Sequence, residues 1–343
     1  MIAHRVGDLF AYTAKEDGEV VSKSATGIVV QYASGVRHGI EIGRRFGVEA
    51  GLTLPHDVVS DLKVGDVFKK DDIISYNEGF FERDILNPSN VVWKIGMTVK
   101  TALYESNQTH EDASSISKRL AEQLATKTVK VKTIVVAFDQ NVKNMVKVGD
   151  SVEPENILCI IEDAVTSKSG LFSDESLNTL RLLSNQAPTA KVKGVVDKIE
   201  VFYHGSQEDM TSSLVELAQT SDNALAKRNR SLGLKAVDGS VDADFRVEGD
   251  PLMLDSAAIR IYITSDVNAG VGDKGVFGNQ LKTVFSEVMN YHVRTESGEE
   301  VDAIFGAKSV AARIVTSPFI IGTANVVLDL IGKNAVKAYK GLK

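Results

Sequence analysis

The sequence predicts a β-rich α+β protein, and three observations predict it. Residues 1–100 hold short runs that alternate apolar and polar, with glycines where the runs end; Gly27–Tyr32 is the clearest. Residues 128–136 are rich in β-branched side chains, which favour a pleated strand. Helical spacing is confined to a few stretches, of which 208–230 and 318–338 are the longest. The chain has 343 residues, enough for two or three domains and a sizeable core.

Taken in order, residues 27–32 and 39–42 read as strands. Residues 62–75 read as a strand, a Gly65-Asp66 turn and a second strand, and the pattern K-V-G-D-x-V/F returns at 146–158. Two copies are too few for a solenoid or propeller. Residues 110–124 read as the first helix, capped by Ser114 or Ser115, with Ile116, Leu120 and Leu124 on one face. Residues 174–185 read as a short helix and 191–202 as strand pairs broken at Gly194. Met210, Leu214, Leu217 and Ala218 give 208–230 helical spacing, and its basic end stops before Gly233. Residues 238–249 are polar and turn-rich, the best boundary on composition. Residues 258–264 alternate as a strand, and 318–338 form an apolar helix with a basic tail.

Composition narrows the function classes. Apolar residues make 43% and charged residues 25%, the profile of a soluble globular protein. A net charge of -7 excludes a free-standing basic nucleic-acid binder, so any polyanion contact must be local. The one cysteine, Cys159, sits in an apolar run and reads as a buried thiol, which excludes disulfides. The N-terminus lacks the apolar core of a signal peptide, and no run reaches about 18 uninterrupted apolar residues, so neither secretion nor a transmembrane helix is expected. The histidines show no metal-ligand spacing, and no serine, cysteine or histidine constellation points to nucleophilic catalysis.

The stretch that carries chemistry is 271–284. Lys274 and Lys282 flank Gly275, Gly278 and Asn279, residues that let a backbone turn tightly and approach a ligand. Lysine supplies compact positive charge on a flexible stem, which suits phosphates. Residues 270–275 also match G-x-G-x-x-G, but a dinucleotide site needs a helix to begin there, and no helical pattern starts for about ten residues. A P-loop would need a glycine directly before Lys282, which is absent. Glu111 and Asp112 have the oxygen donors Mg²⁺ takes, or simply complement the first turn of a helix. Arg313 lies in an apolar run and needs either solvent, a salt bridge or an anion. Alone, each of these cations reads as surface or ion-pair chemistry.

Together the segments resemble the β (second-largest) subunit of multisubunit DNA-dependent RNA polymerases. The family's GDKxxxRHGNKGV is matched at Gly272, Asp273, Lys274, Lys282 and Val284, with the Arg-His pair replaced around Phe277 and Gly278. Its D-I-x-x-N-P-x-x-x-P-S-R-M is matched at Asp302, Ile304, Val310 and Arg313, without the Asn-Pro and Pro-Ser pairs. Its F-E-D-[AS]-I-x-I-S-E-R-[LV] resembles residues 110–120, and its flap motif G-x-V-x-x-V-x-V-F resembles 193–202. The four occur in the family's order, over about residues 25–335, and correspond to the C-terminal half of a cellular β subunit. Split subunits of this kind are similar to those of giant bacteriophages.

The resemblance implies a double-psi β-barrel assembled from two segments, 1–127 and 250–317, with a flap (wall) domain inserted at 128–249 and a helix and tail at 318–343. It implies that Lys274 and Lys282 contact the RNA 3′ end and nucleotide phosphates, that Arg313 holds the triphosphate, and that Asp112, with Glu111, lies near a second Mg²⁺. The main metal ligands would come from a β′-like partner bearing NADFDGD, a motif absent here, so the chain alone is expected to be inactive. Further expected partners are a separate chain with the N-terminal half of β, DNA template, RNA product, NTPs and an initiation factor at the flap, with no membrane. The expected location is the cytoplasm of an infected bacterial host, a phage compartment or the virion. A fold that has lost its site, and an unrelated nucleotide-binding enzyme, remain as alternative readings.

Overall fold

The computed structural model describes residues 11–49, 52–84, 87, 90–94, 96–163, 187–278, 281–314 and 316–341. It is a β-rich α+β protein with mostly antiparallel sheets and few helices. Among the described residues each sheet is an open path, and none closes into a barrel. The chain divides into two compact units, each made of two segments: Met1–Ile95 with Lys127–Asp266, and Gly96–Thr126 with Val267–Lys343. Residues 238–249 lie inside the first unit.

In the first unit, long strands Gly194–His204 and Ser256–Val267 pair antiparallel and bury one face against the helix Ser212–Ser231. Leu214 and Ala218 sit four apart on that helix and are fully buried, as the spacing predicts. Ser221, one turn on, accepts the Val201 N–H at 3.0 Å, so a buried hydroxyl has its partner. Gly233, with φ 73, ends the helix as expected. A second core joins Val20, Ile28, Val30, Ile40 and Phe68 from the sheet containing Gly27–Tyr32 and Arg37–Glu41. Cys159 is buried, and burial pushes its thiol up to about 12. Residues 191–202 differ from expectation: 191–193 form no strand, and a single strand begins at Gly194 and runs to His204. Residues 62–64 form no strand, although the Gly65-Asp66 turn is present. The expected helix at 174–185 lies outside the described residues.

Both K-V-G-D segments are one turn. Asp66 Oδ2 accepts the Lys63 N–H at 2.7 Å, and Asp150 Oδ2 accepts the Lys147 N–H at 2.7 Å. Gly65 (φ 88) and Gly149 (φ 98) supply the left-handed residue. Each turn then clips to one residue of a neighbouring strand. The Gly65 N–H donates to the Val20 carbonyl while the Val20 N–H donates to Asp66, and Gly149, Asp150 and Val196 repeat the arrangement.

The second unit holds a five-stranded sheet. Its strands are β1 (Thr101–Leu103), β2 (Ala113–Ser117), β3 (Lys274–Phe277), β4 (Leu281–Met289) and β5 (Ala303–Phe305), in the order β1-β5-β2-β4-β3. β1 runs parallel to β5 and β2 parallel to β4; the other pairs are antiparallel. Helices α1 (Lys118–Gln123), α2 (Ala307–Ala312) and α3 (Ser317–Gly341) complete it. The helix expected over 110–124 is therefore shorter, and a strand takes its first half. Ser114, Ser115, Ile116 and Ser117 are all buried between β4 and β5, and this pairing overrides the local helical spacing. The cap is Ser117, whose Oγ accepts the Leu120 N–H at 3.1 Å, in place of Ser114 or Ser115.

By length and composition alone, α3 is long and apolar enough to cross a membrane, with mean hydropathy 1.3. Polar residues such as Asn325 and Asp329 interrupt the run, so a search for uninterrupted apolar residues passes over it.

Candidate functional site

All five expected site residues fall in the second unit. Lys274 opens β3, directly after a turn at 270–273. That turn is a third copy of the K-V-G-D device, with Gly270 in place of the lysine. Asp273 Oδ2 accepts the Gly270 N–H at 2.9 Å, Gly272 has φ 95, and the Phe285 N–H and carbonyl clip to Asp273 and Gly272. Asp273 thus closes a turn. The triplet V-G-D occurs at 64–66, 148–150 and 271–273, so the signal was present in the sequence. The G-x-G-x-x-G match opens a strand, which removes the dinucleotide reading.

β3 and β4 form a hairpin in which Lys274 lies opposite Val284, and Val276 opposite Lys282. Opposed residues share a face, so both lysines stand on the same side as diagonal neighbours, about 7–8 Å apart along the diagonal. The other face is apolar. Leu281 and Phe285 are buried there, and Phe277 packs on Phe305 with ring centroids 5.6 Å apart. A Cβ at Gly275 would meet the Phe285 ring at 2.7 Å, so the residue after Lys274 must be glycine for the ring to lie under the hairpin. Asn279 lies outside the described residues.

Arg313 follows the last turn of α2. Its Nη2 donates to the Lys282 carbonyl at 2.9 Å, and its guanidinium lies 5.9 Å from the centre of the Phe305 ring. This fixes the third cation to the strand that carries Lys282. The half-buried side chain finds solvent, an aromatic face and a carbonyl together, which is how an arginine is kept in an apolar run.

Glu111 and Asp112 stand at the entrance to β2, not at a helix N-terminus. The Val284 N–H donates to the Asp112 carbonyl at 2.9 Å, so Asp112 adjoins the residue that faces Lys274. Glu111 adopts φ 53, a conformation uncommon for a residue with a side chain, and its carbonyl accepts the Ser309 hydroxyl. The approach to this pair is pinned from several sides. The Ser286 Oγ donates to the Gln108 carbonyl at 2.5 Å, the Lys308 N–H donates to Glu105 at 2.7 Å, and a Cβ at Gly306 would meet the Thr109 carbonyl at 2.4 Å. Among the described residues, no salt bridge involves the side chains of Glu111, Asp112, Lys274 or Lys282, and all four are exposed.

The sequence placed Asp302 only as a matched motif residue and gave no sign that it braces this unit. Asp302 is 6% exposed, accepts the Lys100 N–H at 2.9 Å and pairs with Arg119. It ties β1, α1 and β5 together through contacts across 202 and 183 residues, which no local spacing encodes.

Chemically, the hairpin offers two diagonal ammonium groups without carboxylate partners, an arginine bonded to the same strand, and two free carboxylates at the end of the adjacent strand. Like charges so close are unfavourable unless an anion lies between them. The carboxylates supply oxygen donors for a hard cation, and among the described residues no group of three or more metal-ligating side chains forms. Glu111 and Asp112 do not by themselves make up such a group. No model of a known protein family matches the chain, and no curated protein matches it.

Proposed function

We propose that the chain is the β-like, C-terminal-half subunit of a phage multisubunit DNA-directed RNA polymerase, acting within a complex. The observation that carries this reading is the outward hairpin face with Lys274 and Lys282 diagonal to each other, Arg313 bonded to the Lys282 carbonyl, and the acidic pair one strand away. Two parallel strand pairs joining segments more than 150 residues apart support the finer assignment of a double-psi barrel.

In the proposed reaction the RNA 3′-hydroxyl attacks the α-phosphorus of the incoming nucleotide. The new P–O bond forms as the bond to pyrophosphate breaks, and the hydroxyl proton leaves. Phosphoryl transfer gains most from positioning and from charge set against phosphate oxygens. Lys274 and Lys282 supply that charge from fixed strand positions, and Arg313 offers a planar donor set to the triphosphate. None of the three needs to touch a base edge, so the face is indifferent to sequence, as templated synthesis requires. Mg²⁺, held mainly by the partner's aspartates with Glu111 and Asp112 beside it, would lower the charge on the attacking and leaving oxygens.

The isolated chain should not extend RNA on a primed template, whereas its complex with a chain bearing NADFDGD should. Extension by the purified chain alone would refute the proposal.

A further inference from the structure

The first unit holds a cleft of about 720 Å³, a size that suits one small ligand. Its walls come from the helix Ser212–Ser231, the strands Gly43–Glu49 and Gly194–His204, and the turn at 147–150. These walls are pinned to one another. Arg44 Nη1 donates to Asp197 at 2.6 Å, across 153 residues, and the Phe46 ring centre lies 4.7 Å from that of Tyr262. The Thr26 and Ser231 hydroxyls share a hydrogen bond of 2.9 Å. A Cβ at Gly39 would strike the Leu232 carbonyl, so the strand Arg37–Glu41 lies directly against the end of the helix. The cleft is therefore preformed.

Five cationic side chains line it, and four of them are engaged. Arg44 bonds Asp57 and Asp197, Arg45 and Arg228 share Glu41 at 3.2 and 2.6 Å, and Lys198 pairs with Glu200 at 2.5 Å. Lys147 opens the second Gly-Asp turn. Its backbone N–H donates to Asp150, and its ammonium has no carboxylate partner among the described residues. Five cations thus meet four carboxylates, and one positive charge is left over. Most of the remaining wall is apolar. Phe46, Val146, Ile199, Leu217 and Leu225 are half-buried there, with no polar side-chain atom to offer.

We propose that this cleft binds a small organic monoanion, an apolar body carrying one acidic group. The body lies against Phe46, Leu217 and Leu225, and the acidic group meets Lys147. The site is built wholly within the first unit, so it stands apart from the polymerase reading. A neutral apolar guest would leave the Lys147 charge unanswered, and an inorganic anion would leave the apolar wall in water. A guest with two or more negative charges would exceed the one free cation and compete with Glu41 and Glu200 for their partners.

The probe is 8-anilinonaphthalene-1-sulfonate, an aromatic monoanion, titrated into the full chain and followed by fluorescence. N-phenyl-1-naphthylamine, which has the same rings and no charge, is titrated beside it. Ala224→Trp fills the cleft from an exposed helix position, and Lys147→Gln removes the free charge while keeping the backbone bond of the turn. Circular dichroism checks that both variants fold. Ile331→Lys, on the exposed face of α3, controls for dye held there. The proposal expects one saturable site that prefers the anion about 10-fold over the neutral dye. Ala224→Trp should weaken both dyes about 10-fold or more. Lys147→Gln should weaken the anion about 10-fold, flatten its salt dependence and leave the neutral dye unchanged. Ile331→Lys should change nothing. Equal binding of the two dyes to wild type overturns the proposal in favour of a neutral guest. Binding unchanged in Ala224→Trp, or lost in Ile331→Lys, puts the dye elsewhere and overturns it. Displacement of the dye by millimolar inorganic phosphate overturns it in favour of a simple anion site. Absence of saturable binding to wild type overturns it outright.

Discussion

The turn at 63–66 in the first unit and the turn at 270–273 in the second are the same object in different service. Both close with an aspartate accepting a backbone N–H, both use a left-handed glycine, and both clip reciprocally to one residue of a neighbouring strand. After Asp66 the chain continues into Val67, on a short strand without chemistry; after Asp150 it continues into Ser151. After Asp273 comes Lys274, diagonal to Lys282. The difference teaches that the Gly-Asp part of the motif is architecture and that the lysine is the variable part. A stable turn fixes where the strand begins, and so where its first side chain points.

The comparison can be broken most easily at the glycines. Nothing lies within 4 Å of a Cβ built at Gly65, Gly149 or Gly272, so alanine there meets backbone strain and no clash. Each Gly→Ala change should cost roughly 2 kcal/mol, and the three should agree within about 1 kcal/mol. Urea titration followed by hydrogen exchange, which separates the two units, checks this. A far larger loss at Gly272 alone would mean that the third turn is a different object.

The aspartates give the next effect. Asp66→Ala, Asp150→Ala and Asp273→Ala each remove one side-chain bond to a backbone N–H and should each cost about 1 kcal/mol. Only Asp273→Ala should also slow RNA extension by the assembled enzyme, through a displaced Lys274. Equal slowing by Asp150→Ala would dissolve the distinction.

The smallest effect concerns the tether of α3, which the first unit lacks. Hydrogen bonds from Lys100 and then Lys333 hold Glu299 down from 4.5 to about 2. A depressed carboxylate contributes stability above its unfolded value and loses it as pH falls through the folded one. Amide protection in α3, taken relative to the intrinsic exchange rate at each pH, should therefore fall between about pH 4.5 and 2 while that of the Lys274 hairpin is unchanged, and Glu299→Gln should abolish the step.

Much of this fold is legible because local pattern and tertiary need agree. The strand Gly27–Tyr32, the helix Ser212–Ser231 and the buried Cys159 each follow from spacing or composition. The helix read over 110–124 failed where they disagree. Ile116, Leu120 and Leu124 have helical spacing, yet Ala113–Ser117 pairs between two strands drawn from residues 281–305. The lysines could be picked out from the glycines around them. Their diagonal placement follows from hairpin register, and Arg313 on the Lys282 carbonyl is a contact across 31 residues that no local rule encodes. The Arg119–Asp302 pair spans 183 residues and was invisible for the same reason.

The most direct test removes both ammonium groups, with Lys274→Ala and Lys282→Ala together, in the assembled complex, and measures the rate of single-nucleotide addition to a preformed RNA–DNA hybrid. Assembly should be intact and addition should fall about 100-fold or more, the size expected when preorganised charge is taken from a phosphoryl transition state. Addition at the wild-type rate by a fully assembled double variant would contradict the account.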